Sequence, residues 1–174
     1  MVAVGWSYGG TVISVAAAGE PSVRHLVYVS DVPSPPQTES AGWEWMFQDP
    51  HVHRVDGNAY VLDNDWWLDE EAGRTFTEEV RKHLRRNPRR PASRAVTEPQ
   101  KEAAWQYTST TVIIGRQDPL LTDAERSWAA ENIDDVRVLD TDHFVIFRAP
   151  DLVSDAVIEI LDDLPGSSPR PGRW

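Results

Sequence analysis

Ser7, Asp118 and His143 are the three residues of this chain whose types and order could together carry out covalent catalysis. A serine hydroxyl is barely nucleophilic at neutral pH. It needs an imidazole to take its proton, and the imidazole needs a carboxylate to fix its tautomer and steady its cationic form. Ser7 sits in the pentapeptide Gly5-Trp6-Ser7-Tyr8-Gly9, after the apolar run Val2-Ala3-Val4 and before a small and apolar stretch reaching Ala18. That context predicts a strand turning sharply into a helix, with the serine held in a strained conformation at the bend. Gly5 and Gly9 are expected to let strand and helix approach each other.

The surrounding elements must present these residues on one side. Val2–Val4 reads as the end of a buried strand, and Tyr8 to about Ala18 as a helix stopped by Gly19. Val23–Ser30 is apolar and β-branched enough for a buried parallel strand, and Asp31-Val32-Pro33 ends it. Strand patterning returns at Thr110–Gly115, followed by Gln117-Asp118-Pro119; Thr122 or Asp123 can cap a helix running through Ala130. Val136–Leu139 is a short strand followed by the loop Asp140–His143, and Pro150 opens a final helix to about Leu164. Alternating strands and helices without tight hairpin signals predict an α/β fold, a parallel sheet covered by helices. In such sheets function collects at the carboxyl ends of strands, which selects Ser7, Asp31, Asp118 and the Asp140–His143 loop.

Of the five histidines, His143 is the one at a strand's carboxyl end. His25 precedes a strand core, His51 and His53 lie in an irregular segment, and His83 is on a basic helix. For the acid, Asp118 competes with Asp31, Asp123 and Asp142. Asp123 suits a helix cap, Asp142 adjoins the base and would point away from it, and Asp31 follows the strand next to the nucleophile strand. Asp118 is the preferred partner. His51-x-His53 lacks a third ligand, so no metal site is expected.

With 174 residues and 40% apolar content, the chain has material for one domain with a sizeable core. It lacks cysteine, which excludes disulfides and a thiolate nucleophile and suits a reducing cytoplasm. No run approaches the roughly 18 apolar residues of a membrane span. A net charge of −11 argues against nucleic-acid binding. One segment runs the other way, from Arg81 through Lys82, Arg85, Arg86, Arg89 and Arg90 to Arg94; it reads as a solvated helix end and loop.

Four stretches carry a resemblance to the α/β-hydrolase superfamily: Val4-Gly5-Trp6-Ser7-Tyr8-Gly9-Gly10, Val27-Tyr28-Val29-Ser30-Asp31, Gln117-Asp118, and Asp142-His143-Phe144 leading to Ala149-Pro150-Asp151. Within it the chain resembles the small cofactor-free esterases related to methylesterases, hydroxynitrile lyases and salicylate-ester or pyrethroid-type hydrolases. The resemblance implies the chain order serine, acid, histidine, fulfilled by Ser7, Asp118 and His143. It also implies no cofactor, and a small-molecule ester as substrate. The expected organisation is residues 1–36 as the nucleophile part of the core, 37–97 as an aromatic-rich cap insertion, 98–164 as the C-terminal core and 165–174 as a disordered tail. Trp6, Trp43, Trp66 and Trp67 are candidate substrate-binding residues, with Trp45 and Phe76 as further apolar lining.

The resemblance also implies that the oxyanion is met by the backbone N–H of the residue after the serine, Tyr8. A hydrolase of this type usually carries strands ahead of its serine, and a second oxyanion donor on a loop among them. The reading therefore expects a chain lacking its N-terminal half, with Val2–Val4 as an exposed edge open to association. It leaves two functions: a serine hydrolase of small apolar or aromatic carboxylic esters, or a truncated, non-catalytic remnant.

Overall fold

The computed structural model describes residues 1–34, 48, 52–54, 60–62, 74–86 and 102–165. The chain divides into two compact units, one formed by Met1–Pro35 with Glu102–Trp174 and the other by Pro36–Lys101. In the first unit, strands β1 (Val2–Trp6), β2 (His25–Val29), β5 (Ser109–Gly115) and β6 (Asp135–Leu139) form a sheet in the order β1-β2-β5-β6. All three pairings are parallel, with Trp6 opposite Val29, Val29 opposite Ile113, and Gly115 opposite Leu139. The two central strands explain why the sheet stays dry. Leu26, Val27, Tyr28 and Val29 are fully buried, and Val112, Ile113 and Ile114 nearly so, as apolar runs covered on both faces should be.

Alternation along the strands divides the core in two. Leu26, Tyr28, Val112 and Ile114 pack with Ala17, which follows helix α1 (Tyr8–Ala16), and with Ala129 of helix α3 (Asp123–Asn132). Val27, Val29 and Ile113 point the other way, onto Val145 of the short helix α4 (Val145–Arg148) and Ala156 and Ile160 of α5 (Pro150–Asp163). On the first face Ser14 and Tyr28 share a side-chain hydrogen bond inside the core. Burial pushes the Tyr28 phenol up to about 12, so the group stays neutral.

The second unit contains a two-stranded antiparallel sheet, β3 (Val52–Arg54) with β4 (Tyr60–Leu62), and helix α2 (Glu78–Arg86). Sequence patterning missed this hairpin, whose three-residue strands are too short to show alternation. Helix α2 places Glu78 and Glu79 in its first turn and His83, Arg85 and Arg86 in its last, so its charges follow the helix dipole. Trp43, Trp45, Trp66, Trp67 and the cations Arg89, Arg90 and Arg94 lie outside the described residues, as does the tail from 166 onward.

Several boundaries moved from their expected places. Helix α1 ends at Ala16 rather than Ala18, because the chain turns through Ala17–Gly19 with Gly19 at φ 73°. Thr122, not Asp123, caps α3. Its hydroxyl accepts the Glu125 N–H while the Glu125 carboxylate accepts the Thr122 N–H, a reciprocal box that leaves Asp123 exposed as the first helical residue. A 3-10 turn at Ala104–Gln106 was not foreseen. It buries Ala104 and, through Trp105, donates a hydrogen bond to the Ser34 carbonyl. Strand β1 is an outer strand of the sheet among the described residues, and Val4 on it is 44% exposed.

Toward the amino ends of the strands, a polar chain crosses three of them. Thr111 of β5 donates to Asp135 of β6 at 2.9 Å and stands 2.9 Å from His25 Nε2 of β2, and Asp135 is clasped by Arg137. Desolvation holds the His25 imidazole below its ordinary range, against the pull of Asp135, so the neutral ring with its proton on Nε2 fits the Thr111 acceptor. Thr111 is fully buried. Replacing it by valine removes a donor and an acceptor at once, and Thr111→Val should lower stability by about 1–3 kcal/mol. Urea denaturation measures this directly; an unchanged midpoint would show that the bridge contributes nothing.

Candidate active site

Strand β1 delivers Ser7 to the carboxyl edge of the sheet, where its N–H donates to the Val29 carbonyl of β2 at 2.8 Å. This bond carries the β1–β2 pairing one step past the strand, and the chain turns into α1 directly after it. Ser7 takes φ 52°, a left-handed conformation that non-glycine residues rarely adopt and that costs of order 1–3 kcal/mol. Although Ser7 occupies the N-cap position of α1, its side chain makes no capping bond, which leaves the hydroxyl for another partner. The two glycines of the pentapeptide prove unequal. A Cβ on Gly5 would stand 2.3 Å from the Gly9 carbonyl oxygen, whereas a Cβ on Gly9 would meet nothing within 4 Å. The close approach therefore needs a bare Cα on the strand side only, because the strand faces the helix backbone and not the Gly9 α-hydrogens.

The Ser7 hydroxyl lies 2.9 Å from His143 Nε2, and His143 Nδ1 lies 2.9 Å from Asp118 Oδ2. Asp118 and His143 are 3% and 5% exposed, so this chain of bonds is largely shielded from water, where hydrogen bonds are stronger. Asp118 follows β5 in a tight turn, and its second oxygen accepts the Leu120 N–H at 2.9 Å. The carboxylate is thus held from both sides. With an anionic acceptor at Nδ1, the imidazole keeps its proton there and presents a bare Nε2 to the serine.

The competing carboxylates are engaged elsewhere. Asp142 accepts the Phe144 N–H and pairs with Arg148 at 3.1 Å, turned from the ring it adjoins in sequence. Asp31 lies against Gly10 in the first turn of α1. Burial pushes its carboxyl up to about 7; the Val32 and Thr11 amides oppose the shift, and the charges of Glu125 and Asp118 add to it. Tyr8 opens α1 immediately after the serine, at the positive end of that helix.

Trp6 was read from the sequence as a substrate contact; the structure ties it to His143. Its indole N–H donates to the His143 carbonyl at 3.0 Å, and its ring packs 5.6 Å from the imidazole, with Phe144 and Phe147 alongside. No sequence signal marks this bond, because it joins the residue before the serine to the histidine itself across most of the chain. Ser30, at the end of β2, is a second left-handed residue at φ 53°. Its buried hydroxyl and that of Thr141 have no hydrogen-bond partner among the described residues. No group of three His, Cys, Asp or Glu among those residues is placed to hold a metal, and none of their helices is long and apolar enough to cross a membrane.

Comparison with known proteins agrees with this architecture. A model described as alpha/beta hydrolase family matches residues 2–156. No curated protein sequence matches the chain. Among solved structures it is similar to a pyrethroid hydrolase from Sphingobium faniae, with TM-score 0.65 and 18% identity over 93% of this chain and 70% of that one. Polyneuridine aldehyde esterase gives TM-score 0.69 at 15% identity over 92% and 71% of the two chains. A variant of tomato methylketone synthase I in complex with beta-ketoheptanoate gives 0.68 at 14% over 92% and 69%. At such identities the likeness is one of fold.

The raised Asp31 carboxyl carries a sign. Below pH of about 4 the group is protonated in both folded and unfolded chains and costs nothing. As pH rises toward 7 the unfolded chain releases its proton first, so folding loses stability. Asp31→Asn cannot titrate, and its melting temperature relative to the parent should climb between pH of about 4 and 7 and level off above. A difference that stays constant across this range would mean that the carboxyl ionises normally.

Proposed function

This chain belongs to the alpha/beta hydrolase family, and we propose that it is a serine hydrolase acting on small carboxylic esters through an acyl-Ser7 intermediate. The observation that carries the reading is the continuous hydrogen-bonded series from Ser7 through His143 to Asp118 at the carboxyl ends of three parallel strands. In the proposed sequence, Ser7 Oγ attacks the ester carbonyl as its proton passes to His143 Nε2. Asp118, accepting from Nδ1, steadies the imidazolium. The tetrahedral oxyanion is met by the Tyr8 backbone N–H at the start of α1. His143 then protonates the departing alcohol. Water, deprotonated by the same nitrogen, attacks the acyl carbonyl, and His143 passes that proton to the departing Ser7 Oγ as the acid is released. Each step returns the proton that it borrowed, so no cofactor is required.

The substrate class is a finer proposal. Trp6 beside the imidazole, and the concentration of aromatic residues between positions 37 and 97, Trp43, Trp66 and Trp67 among them, favour esters with a small apolar or aromatic group. Esters that place a charge on the acyl group should react poorly.

A fluorophosphonate probe tests the mechanism without knowledge of the natural ester. The chain should be labelled at Ser7, Ser7→Ala should not be labelled, and Asp118→Asn should react about 10⁴-fold more slowly, as expected when a triad histidine loses its orienting carboxylate. Failure of the folded chain to label at Ser7 would sink the proposal for this chain and favour a non-catalytic role. Hydrolysis of p-nitrophenyl acetate, benzoate and succinate by the same preparation separates apolar from charged acyl preference.

A further inference from the structure

Arg126 stands in the first half of α3, one residue past the Thr122–Glu125 capping box, and its N–H closes a helical bond to the Thr122 carbonyl at 3.1 Å. Its side chain leaves the helix toward the turn that carries Asp118. One guanidinium nitrogen donates to the Gly115 carbonyl at 2.9 Å and the other to the Asp118 carbonyl at 2.7 Å. Those two carbonyls bracket the turn. Gly115 is the last residue of β5, and Asp118 is the residue whose carboxylate meets the histidine. Inside the turn a single long backbone bond, Asp118 N–H to Gly115 carbonyl at 3.3 Å, spans the same two residues. The guanidinium therefore bridges from outside what the backbone holds weakly from within. Among the described residues Arg126 makes no ion pair, although acidic residues outnumber basic ones in this chain. Among those residues its fork bonds the acid turn.

The turn is also where the acid and base loops are locked together. A Cβ on Gly115 would fall 2.3 Å from the Asp142 carbonyl and 2.4 Å from that of Thr141. The Gln117 N–H donates to the Thr141 carbonyl at 3.0 Å, and the Gln117 side chain reaches Asp140. A shift of the Gly115–Asp118 turn would thus move Asp118 and disturb the loop that delivers His143.

We infer that Arg126 is a positioning residue for Asp118: its planar two-pronged donor fixes the acid turn, and through it the orientation of His143 toward Ser7. The inference rests on the functional reading above, but one of its readouts does not. A lysine at this position keeps the charge and offers a point donor that cannot span both carbonyls, whereas methionine keeps much of the bulk and donates nothing. Misplacement of a catalytic group by about 1 Å can cost on the order of 100-fold in rate. Arg126→Met should therefore label at Ser7 about 10- to 100-fold more slowly than the parent, with Arg126→Lys between them. For p-nitrophenyl esters the loss should fall on kcat and leave KM little changed.

Proton NMR supplies the independent readout. The His143 Nδ1 proton, shared with the buried Asp118 carboxylate, should give a far-downfield resonance in the parent that moves upfield or broadens in Arg126→Met and is partly restored in Arg126→Lys. A merely structural arginine would lower the melting temperature while leaving this resonance, and the labelling rate of the folded fraction, unchanged. That result would overturn the inference. If the parent itself fails to label at Ser7, the functional reading fails, and the resonance still decides what Arg126 does. Should Arg126→Met not fold, Arg126→Lys carries the same comparison.

Discussion

Parallel pairing of β1, β2, β5 and β6 is the constraint on which everything else in the first unit depends. Parallel strands all point the same way, so every strand end and the loop that follows it emerge on one edge. Such a sheet must be covered on both faces, and the unbroken burial along β2 and most of β5 shows that it is. Once the central strands are sealed between α1 and α3 on one side and α4 and α5 on the other, the loops have no freedom to leave that edge. Ser7, Asp118 and His143 then meet because three strands end at the same level, not because they are close in the chain.

That geometry also explains how much the amino-acid pattern revealed. The serine turn, the acid at the end of β5 and the histidine in the loop after β6 were legible because each is tied to a local signal: a run of apolar residues, a glycine, a proline. Their mutual order was legible from the likeness to the hydrolases. The inequality of Gly5 and Gly9, the indole bond from Trp6 to the His143 carbonyl, and the reach of Arg126 to the acid turn were not. Each arises where segments distant in sequence come within bonding range, and nothing in the local pattern of either segment records it. The same holds for the choice among carboxylates. Asp142 is nearest to His143 in sequence yet is drawn away by Arg148 and the Phe144 amide.

The polar groups are divided between the two ends of the sheet. At the amino ends His25, Thr111, Asp135 and Arg137 satisfy one another and link three strands side by side. At the carboxyl ends the arrangement is less relaxed. Ser7 and Ser30 both hold left-handed backbones, two buried hydroxyls have no partner among the described residues, and Asp31 carries a carboxyl shifted to about 7. Strain and imperfect satisfaction gathered at one edge of a well-bonded scaffold are typical of places where reactivity is held ready.

The pairing of β2 with β5 has a consequence for how the chain can change over time. His25 lies opposite Ser109, and the whole of the second unit, Pro36–Lys101, leaves and returns between them. The entropy of closing such an excursion grows only with the logarithm of its length, so doubling it costs only about 0.6 kcal/mol. The site tolerates this because its members are fixed by the sheet rather than by the excursion. Ser7 and His143 bond across a separation of 136 residues, and the strands between them set the distance. The length of the segment 36–101 can therefore change at a small cost in loop-closure entropy while Ser7, Asp118 and His143 stay where the sheet holds them.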